Sequence, residues 1–282
     1  MKIPKRFIPL IEDGLVDEVL SQLMSGKEAT VYIVRCGESV FCAKVYKEAN
    51  KRSFKKAALY QEGRKVRNSR RARAMQKSSK FGRKQQQEIW HNAEVDALYL
   101  LATAGVRVPE PYGCYDGILL MELITDAEGY VAPRLNDVEI SDDIAREDHK
   151  IMMDYIKVML CVGVIHGDLS EFNVLLDEHG PVIIDLPQAV NASTNNNAQS
   201  MLIRDVNNIT SYYAQFAPEL SKTQYANEMW LLFENGELTP ESELTGLFEE
   251  NQDEADVDLV LLEIKEAFKE EQQRLERIKN AE

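Results

Sequence analysis

Two aspartates and one asparagine, Asp168, Asn173 and Asp185, have the residue types and the spacing needed for chemistry on phosphate groups. Four residues separate Asp168 from Asn173, and a short β-rich run with a turn separates Asn173 from Asp185. Two carboxylates and an amide suit a hard cation such as Mg²⁺, which also keeps waters and substrate phosphates as ligands. One of the acids can instead accept a proton from an attacking hydroxyl group. The order D-x4-N, followed by D after a hairpin, therefore predicts a metal-assisted phosphoryl-transfer site.

The elements between these residues would position them. Val174 to Leu176 and Val182 to Ile184 have the composition of β-strands, and Asp177 to Gly180 has the composition of a turn. A hairpin of this kind sets the distance between the polar loop before it and the carboxylate after it. We therefore expect the two carboxylates and the amide to converge on one point.

A second group of residues would hold phosphates. A loop of small residues runs into a β-branched strand, and after the turn Cys36–Ser39 a second strand carries Lys44. A strand lysine at this distance from a backbone loop can serve as a point charge for the α- and β-phosphates of a nucleotide. Neither the Walker A pattern nor the G-x-G-x-x-G pattern of ordinary protein kinases fits this loop. The loop residues with predicted phosphate contacts are Ser25, Gly26, Lys27, Glu28 and Ala29.

A helix is predicted from Gln85 to Thr103, because apolar residues recur on one face and Gly105 can end it. Glu94 falls where the second helix of a kinase supplies the acid that pairs with the strand lysine. We therefore predict an ion pair between Glu94 and Lys44.

Periodicity and turn chemistry predict the remaining elements. The pair Asp116-Gly117 favours a type I′ hairpin turn between two strands. The remaining predicted elements are an amphipathic helix over Ile8–Leu23, a hairpin over Tyr112–Ile124, and helices over Asp142–Val162, Met201–Phe216 and Ser221–Phe233.

Length and composition exclude several classes of protein. The 282 residues allow one large core or two lobes that share a cleft. No apolar run approaches the ~18 residues of a membrane span, and no signal-peptide pattern is present, so we expect a cytoplasmic protein with no membrane partner. The four cysteines are scattered without a C-x-x-C pair, which favours neither a zinc site nor a disulfide framework.

The charge is distributed unevenly along the chain. The formal net charge is −14, which disfavours nucleic-acid binding over the whole surface. Arg64 to Lys84 nevertheless holds ten Lys or Arg residues and no acid. This segment is either a mobile loop or a solvated charged helix, and it could bind a phosphate-rich partner such as RNA. The acidic stretch from Glu237 is predicted to be a linker before an amphipathic helix over Val257–Ile278.

Three sequence stretches resemble the RIO family of atypical protein kinases. HGDLSEFN at residues 166–173 and IIDLPQAV at 183–190 resemble that family's catalytic and metal-binding loops. SGKEATVY at residues 25–32 resembles its phosphate loop. The resemblance extends from about Gly14 to Phe233. The RIO-one-like branch is expected, because the chain before Ser25 has no room for an N-terminal winged-helix domain.

The resemblance implies an α+β, bilobal protein-kinase-like fold with a small β-rich N-lobe and a mostly helical C-lobe. Residues 1–236 would form the kinase domain, with the N-lobe to about 121, the hinge at about 122–126 and the C-lobe from 127. Residues 237–282 would be the acidic linker and the C-terminal helix. Asp168 and Asp185 would be catalytic, and Asn173 and Asp185 would bind the metal. The residues implied to bind ATP are Ser25, Gly26, Lys27, Glu28, Ala29, Lys44, Glu94, the gatekeeper Met121, Glu122 and Ile124.

By the same resemblance the protein would use ATP with Mg²⁺ or Mn²⁺ to phosphorylate serine or threonine in a protein substrate, including itself. RIO kinases are also associated with ATPase behaviour and with ribosome maturation, so RNA or a ribosomal particle could bind through Arg64–Lys84. Whether Asp185 is a metal ligand only or also accepts phosphate remains open. The alternative is a small-molecule phosphotransferase of the aminoglycoside or choline kinase type, whose catalytic loop also begins with H-G-D.

Overall fold

A five-stranded antiparallel sheet forms the N-terminal part of the protein. The computed structural model describes residues 3–26, 29–47 and 93–248. The strands lie in the order β1-β2-β3-β5-β4. The sheet, a short helix α1 (Ile8–Glu12) and a helix α2, described over residues 93–103, make up the N-lobe. The strand bounds are β1 Glu18–Ser25, β2 Ala29–Cys36, β3 Ser39–Tyr46, β4 Pro111–Tyr115 and β5 Ile118–Glu122.

The β4–β5 hairpin confirms the predicted turn. Asp116 has a φ of 47° and Gly117 a φ of 75°, and this pair of positive values defines a type I′ turn. Its backbone twist matches that of the flanking strands β4 and β5. On its other side β5 pairs with β3 from Ile118 to Glu122. This register places Leu119 opposite Lys44.

The C-lobe is mostly helical. Its helices are α3 (Asp142–Cys161), α4 (Ala198–Tyr213) and α5 (Tyr225–Glu234), which agree with the predicted helices to within a few residues. Ser141 caps α3 by accepting the amide hydrogen of Ile144 at 3.3 Å. Two short antiparallel pairs complete it: β6 (Val164–Ile165) with β9 (Val190–Asn191), and β7 (Val174–Asp177) with β8 (Gly180–Ile183). The architecture confirms the predicted bilobal α+β fold class.

The main apolar core runs from α2 into the C-lobe. Leu98 and Leu101 of α2 and Leu119 of β5 belong to the same buried cluster as Met152 and Leu160 of α3. A second cluster covers the other side of the sheet, where Phe7, Val34 and Ile118 are fully buried. The two lobes therefore share one continuous core beside α2.

The prediction of one amphipathic helix over Ile8–Leu23 is wrong. The helix ends at Glu12, and Gly14 has a φ of 69°, a left-handed conformation that interrupts a right-handed helix. The following residues form β1, which pairs with β2. The helix prediction rests on Leu15, Val19 and Leu23, whose i, i+4, i+8 spacing also fits a strand, and in the structure Val19 is buried and Leu23 is exposed. Tertiary pairing with β2 decides between these structures.

The compact unit extends from Met1 to Gly246, and Leu247–Glu282 forms a second unit. Within the first unit, the segment after α5 is tied to α3 and α5: Lys157 donates to the carbonyl of Ser242 at 2.9 Å, and the Glu228 carboxylate accepts the amide hydrogen of Gly246 at 2.8 Å. The domain boundary at residue 236 stays a prediction, and the helix predicted over 257–278 lies outside the described residues.

Within the described residues, every helix is too short or too polar to cross a membrane.

A buried acid on α3 predicts a pH-dependent stability. Asp148 is 6% exposed, and burial, together with the charge of Glu147, raises its pKa to about 6. In the unfolded chain its pKa is about 3.9, so the unfolded chain loses the proton first as pH rises. The free energy of unfolding therefore falls between about pH 4 and pH 6.

Asp148→Asn is expected to raise the free energy of unfolding at pH 7 by about 1–3 kcal/mol, because the buried charge is no longer formed. The gain should vanish near pH 4, where wild-type Asp148 is already protonated. Urea unfolding at both pH values measures the difference. Asp143→Asn, on the exposed face of the same helix, is the control. An equal effect of Asp148→Asn at both pH values would contradict the explanation.

Candidate functional site

Lys44 bridges the two lobes. Its ammonium on β3 donates to Glu94 of α2 at 2.6 Å and to Asp185, after β8, at 2.6 Å. Lys44 is 8% exposed and Glu94 is 2% exposed, whereas the side chain of Asp185 is 48% exposed. The pair of Glu94 and Lys44 is therefore held inside the protein, and the Asp185 side chain is half exposed.

Lys44 and Asp185 both stay ionised, because each lies beside a group of opposite charge. Burial lowers the pKa of Lys44, but Glu94 and Asp185 outweigh it, so the pKa is raised and the ammonium stays protonated. Burial raises the pKa of Asp185, but Lys44 outweighs it, with help from His166 and Arg134, so the net shift is downward. Asp185 is consequently an ionised carboxylate at neutral pH.

Glu94 has a second partner within the N-lobe. The hydroxyl of Tyr46 donates to its other oxygen at 2.5 Å. Burial and the charge of Glu94 raise the pKa of Tyr46, which keeps this hydroxyl protonated as a donor. Both oxygens of the buried carboxylate are thus satisfied, and the Lys44 ammonium is fixed in position.

The β7–β8 hairpin brings Asn173 next to the residues before Asp185. The carbonyl of Asn173 accepts the amide hydrogen of Ile184 at 3.0 Å, and the side-chain amide of Asn173 donates to the carbonyl of Asp168 at 2.9 Å. Asp185 itself has a φ of 67°, a conformation that costs free energy in a non-glycine residue. These hydrogen bonds hold Asn173 to the backbone of Asp168 on one side and to the residue before Asp185 on the other.

His166 orders the loop that carries Asp168. Its Nδ1 accepts the amide hydrogen of Asp168 at 3.3 Å, and its Nε2 lies 3.0 Å from the carbonyl oxygen of Ile184. A carbonyl only accepts, so Nε2 carries a proton and donates it to Ile184. The carboxylate of Asp168 is exposed, and its Oδ2 accepts from Nε2 of Gln188 at 2.8 Å. Gln188 thereby sets the orientation of this carboxylate.

Side chains of helix α4 form hydrogen bonds with the backbone of the same loop. The carboxylate of Asp205 accepts from the amides of Gly167 at 2.7 Å and Leu169 at 3.1 Å. Asn208 donates to the carbonyl of Leu169 at 2.9 Å, and Arg204 donates to the carbonyl of Gly167. Burial raises the pKa of Asp205 to about 6 although these donors and His166 lower it. The backbone on both sides of Asp168 is thus tied to one helix.

The predicted phosphate loop is partly described. Gly26 donates its amide hydrogen to the carbonyl of Ala29 at 2.9 Å, and Ser25 Oγ lies 3.3 Å from the hydroxyl of Thr30. The ammonium of Lys47 donates to Ser25 Oγ at 2.9 Å and to the carbonyl of Gly26 at 2.6 Å. Lys27 and Glu28 lie outside the described residues.

The predicted adenine-binding residues end β5 and begin the connection to the C-lobe. Met121 lies opposite Cys42 of β3. The amide of Glu122 donates to the carbonyl of Glu110 at 2.8 Å, and the carbonyl of Ile124 accepts from Ala132 at 3.0 Å.

Sequence reasoning did not identify several residues near the site. Tyr46 binds Glu94, Gln188 binds Asp168, and Arg134 contributes to the lowered pKa of Asp185. Gln188 follows Asp185 by three residues, and this position could have been noticed as a polar residue in a short loop. Arg134 has no comparable signal, because its guanidinium contacts Met24 of β1, 110 residues away in the chain.

Comparison with known proteins identifies a family whose model matches this chain. The family model described as the RIO domain matches residues 30–226. The RIO-type serine/threonine-protein kinase Rio1 of Haloferax volcanii is 29% identical over 207 residues, which cover 72% of this chain and 66% of the relative. The probable serine/threonine-protein kinase RIO1 homolog of Encephalitozoon cuniculi is 37% identical over 137 residues, covering 48% of this chain and 34% of the relative. The matched part of this chain thus spans less than two thirds of the length of these relatives.

A solved structure supports the fold. The crystal structure of the Rio2 kinase–ADP/Mg²⁺–phosphoaspartate complex from Chaetomium thermophilum aligns with a TM-score of 0.57 and 21% sequence identity. The alignment covers 92% of this chain and 74% of that chain. The bilobal arrangement of this protein is therefore that of a protein kinase.

Proposed function

This chain belongs to the RIO family, and from that premise we propose that it is an atypical serine/threonine protein kinase that uses ATP. The observation that carries the proposal is the Lys44 ammonium, which is held at 2.6 Å between buried Glu94 and half-exposed Asp185. A cation fixed beside an ionised carboxylate is the arrangement that phosphoryl transfer needs. We assign it to the cytoplasm, as the sequence predicts.

The N-lobe would bind ATP by backbone and charge. Lys44 would contact the α- and β-phosphates, with Glu94 holding it in place. Met121 would be the gatekeeper, and the Glu122 carbonyl and the Ile124 N–H would contact adenine. The loop residues proposed for the phosphates are Ser25, Gly26, Lys27, Glu28 and Ala29.

The donor atoms at Asp185 fit Mg²⁺ or Mn²⁺. Asp185 offers an ionised carboxylate with one oxygen on Lys44. The side-chain nitrogen of Asn173 is used on the Asp168 carbonyl, which leaves its amide oxygen as a neutral ligand. Mg²⁺ commonly takes one or two carboxylates and completes its shell with phosphates and water. A bound Mg²⁺ would neutralise phosphate charge.

Asp168 would receive the proton of the attacking serine or threonine hydroxyl. Its carboxylate is exposed, and Gln188 occupies Oδ2, which leaves Oδ1 as the acceptor. Proton transfer requires the base within hydrogen-bond reach of the hydroxyl, and the bracing of the loop by Asp205 limits where that base can be. Asp168 is therefore proposed as the base of direct transfer.

Incubation with γ-labelled ATP and Mg²⁺ tests this function. We expect label on serine or threonine of the protein that survives hydroxylamine. Label lost in hydroxylamine, and accumulating in Asp168→Asn, would instead make Asp185 the phosphate acceptor. Label on an added small alcohol would favour the small-molecule phosphotransferase. Absence of both labelled products and of released phosphate would refute the proposal.

RNA or a ribosomal particle is the partner proposed for Arg64–Lys84, with ATP turnover controlling release. Only the charge of this segment supports this, since the segment lies outside the described residues. Replacing four of its arginines by serine is expected to weaken RNA binding, each lost phosphate contact lowering the log–log salt slope by about 0.7–0.9. Filter binding at several salt concentrations measures the slope, and an unchanged slope would contradict this partner.

A further inference from the structure

Arg107 is the centre of a group of contacts between the lobes. It lies in the connection from α2 to β4, where its guanidinium binds both oxygens of Glu122 at 2.8 and 3.0 Å. The same guanidinium binds Oδ2 of Asp177 at 3.0 Å, and the Arg107 carbonyl accepts the amide hydrogen of Ile183 at 2.9 Å. We call these four hydrogen bonds the Arg107 clasp.

The clasp connects the two places where ATP is proposed to bind. Glu122 ends β5 at the proposed adenine contact, and Asp177 ends β7 in the C-lobe. Ile183 ends β8 and precedes Asp185 by only two residues. One residue therefore holds the hinge by its side chain and the strand leading to Asp185 by its backbone.

The charges make the clasp difficult to open. The side chain of Asp177 is 5% exposed, and it would be left without its guanidinium partner if Arg107 moved. Its other oxygen is already used, since Oδ1 accepts the amide hydrogen of His179 at 2.8 Å. The Glu122 pair is a two-bond fork that fixes angle as well as distance. A buried carboxylate that loses its cation is strongly disfavoured, so the hinge and the hairpin stay together.

We propose that Arg107 is a positioning residue for nucleotide binding, which sets the distance between the hinge and Asp185 to the length of one ATP molecule. This inference rests on the proposed function. Adenine and triphosphate are covalently joined, so both ends bind only if the hinge and the metal site are correctly spaced. A ligand that contacts the hinge alone does not depend on this spacing.

The proposal predicts different effects on two ligands. Arg107→Gln is expected to weaken Mg²⁺-ATP binding about tenfold or more, the size of a lost charge-assisted hydrogen bond expressed in affinity. Adenosine, which lacks the phosphates, is expected to bind the variant as well as wild type. Arg107→Lys, which keeps the charge without the fork, should be intermediate for ATP. Isothermal titration calorimetry with each ligand measures these affinities.

Two further variants complete the experiment. Arg35→Gln removes an exposed arginine of β2 that lies 3.9 Å from Glu18 of β1, and it should change neither affinity. Asp177→Asn weakens only the C-lobe side of the clasp and should reproduce the loss for ATP and not for adenosine. If Arg107→Gln does not fold, Asp177→Asn decides the question.

Unchanged ATP affinity in Arg107→Gln would overturn the inference, and so would an equal loss for ATP and adenosine, which a damaged hinge would produce. Wild-type protein that binds neither ligand would overturn the proposed function, and this inference with it. If wild-type protein binds Mg²⁺-ATP and Arg107→Gln binds it with the same affinity, only the inference about Arg107 is overturned, and the proposed function stands.

Discussion

Lys44→Met is expected to reduce phosphoryl transfer by at least about 100-fold, the scale of one removed electrostatic stabiliser. The substitution removes the cation that lies at 2.6 Å from both Glu94 and Asp185. It also leaves the buried Glu94 carboxylate with Tyr46 as its neutral donor, so we expect a loss of stability of about 3–5 kcal/mol. Steady-state turnover and urea unfolding measure the two losses separately.

The double variant Lys44→Met/Glu94→Gln distinguishes chemistry from stability. Because the uncompensated charge of Glu94 is removed, most of the stability should return, while the phosphoryl-transfer rate should stay low. Lys222→Met, on the protein surface, is the control for lysine replacement and should retain full activity. Recovery of activity in the double variant would show that Lys44 acts through stability and not on the phosphates.

Asp185→Asn is expected to reduce phosphoryl transfer by a similar factor of at least about 100, because an amide replaces the ionised carboxylate that would hold the metal. The fold should persist, since asparagine tolerates the φ of 67° at this position and the side chain is half exposed. When the rate is measured against Mg²⁺ concentration, half of the maximal rate should require more Mg²⁺ than in wild type. Asp185→Ala should lose activity equally and add backbone strain.

Asp116→Asn is the matched control for this substitution. Within the described residues, Asp116 and Asp185 are the aspartates with positive φ, and Asp116 lies in the β4–β5 turn. The control therefore tests the same chemical change in the same type of backbone conformation, away from the site. Full activity of Asp185→Asn at wild-type Mg²⁺ concentrations would remove Asp185 from the proposed metal site.

The amino-acid sequence alone determined the local elements and the types of residue that they carry. The Asp116-Gly117 turn follows from the backbone conformations that these two residues tolerate. The β7–β8 hairpin, which brings Asn173 to Ile184, follows from β-branched runs on either side of a turn. Helical periodicity placed Glu94 on a helix, whereas its pairing with Lys44, 50 residues away, was predicted from the kinase pattern. The turn, the hairpin and the helix depend on residues close together in the chain, which pattern reasoning can evaluate.

Tertiary structure alone decided the contacts between distant parts of the chain. The residues after Glu12 have a spacing that fits both a helix and a strand, and pairing with β2 selects the strand. Lys44 reaches Asp185 across 141 residues, and Arg107 reaches Asp177 across 70. Periodicity and turn chemistry describe neighbours along the chain, whereas these contacts depend on how the two lobes pack around their common core. The charges that hold the hinge to the hairpin are therefore visible only in the folded protein.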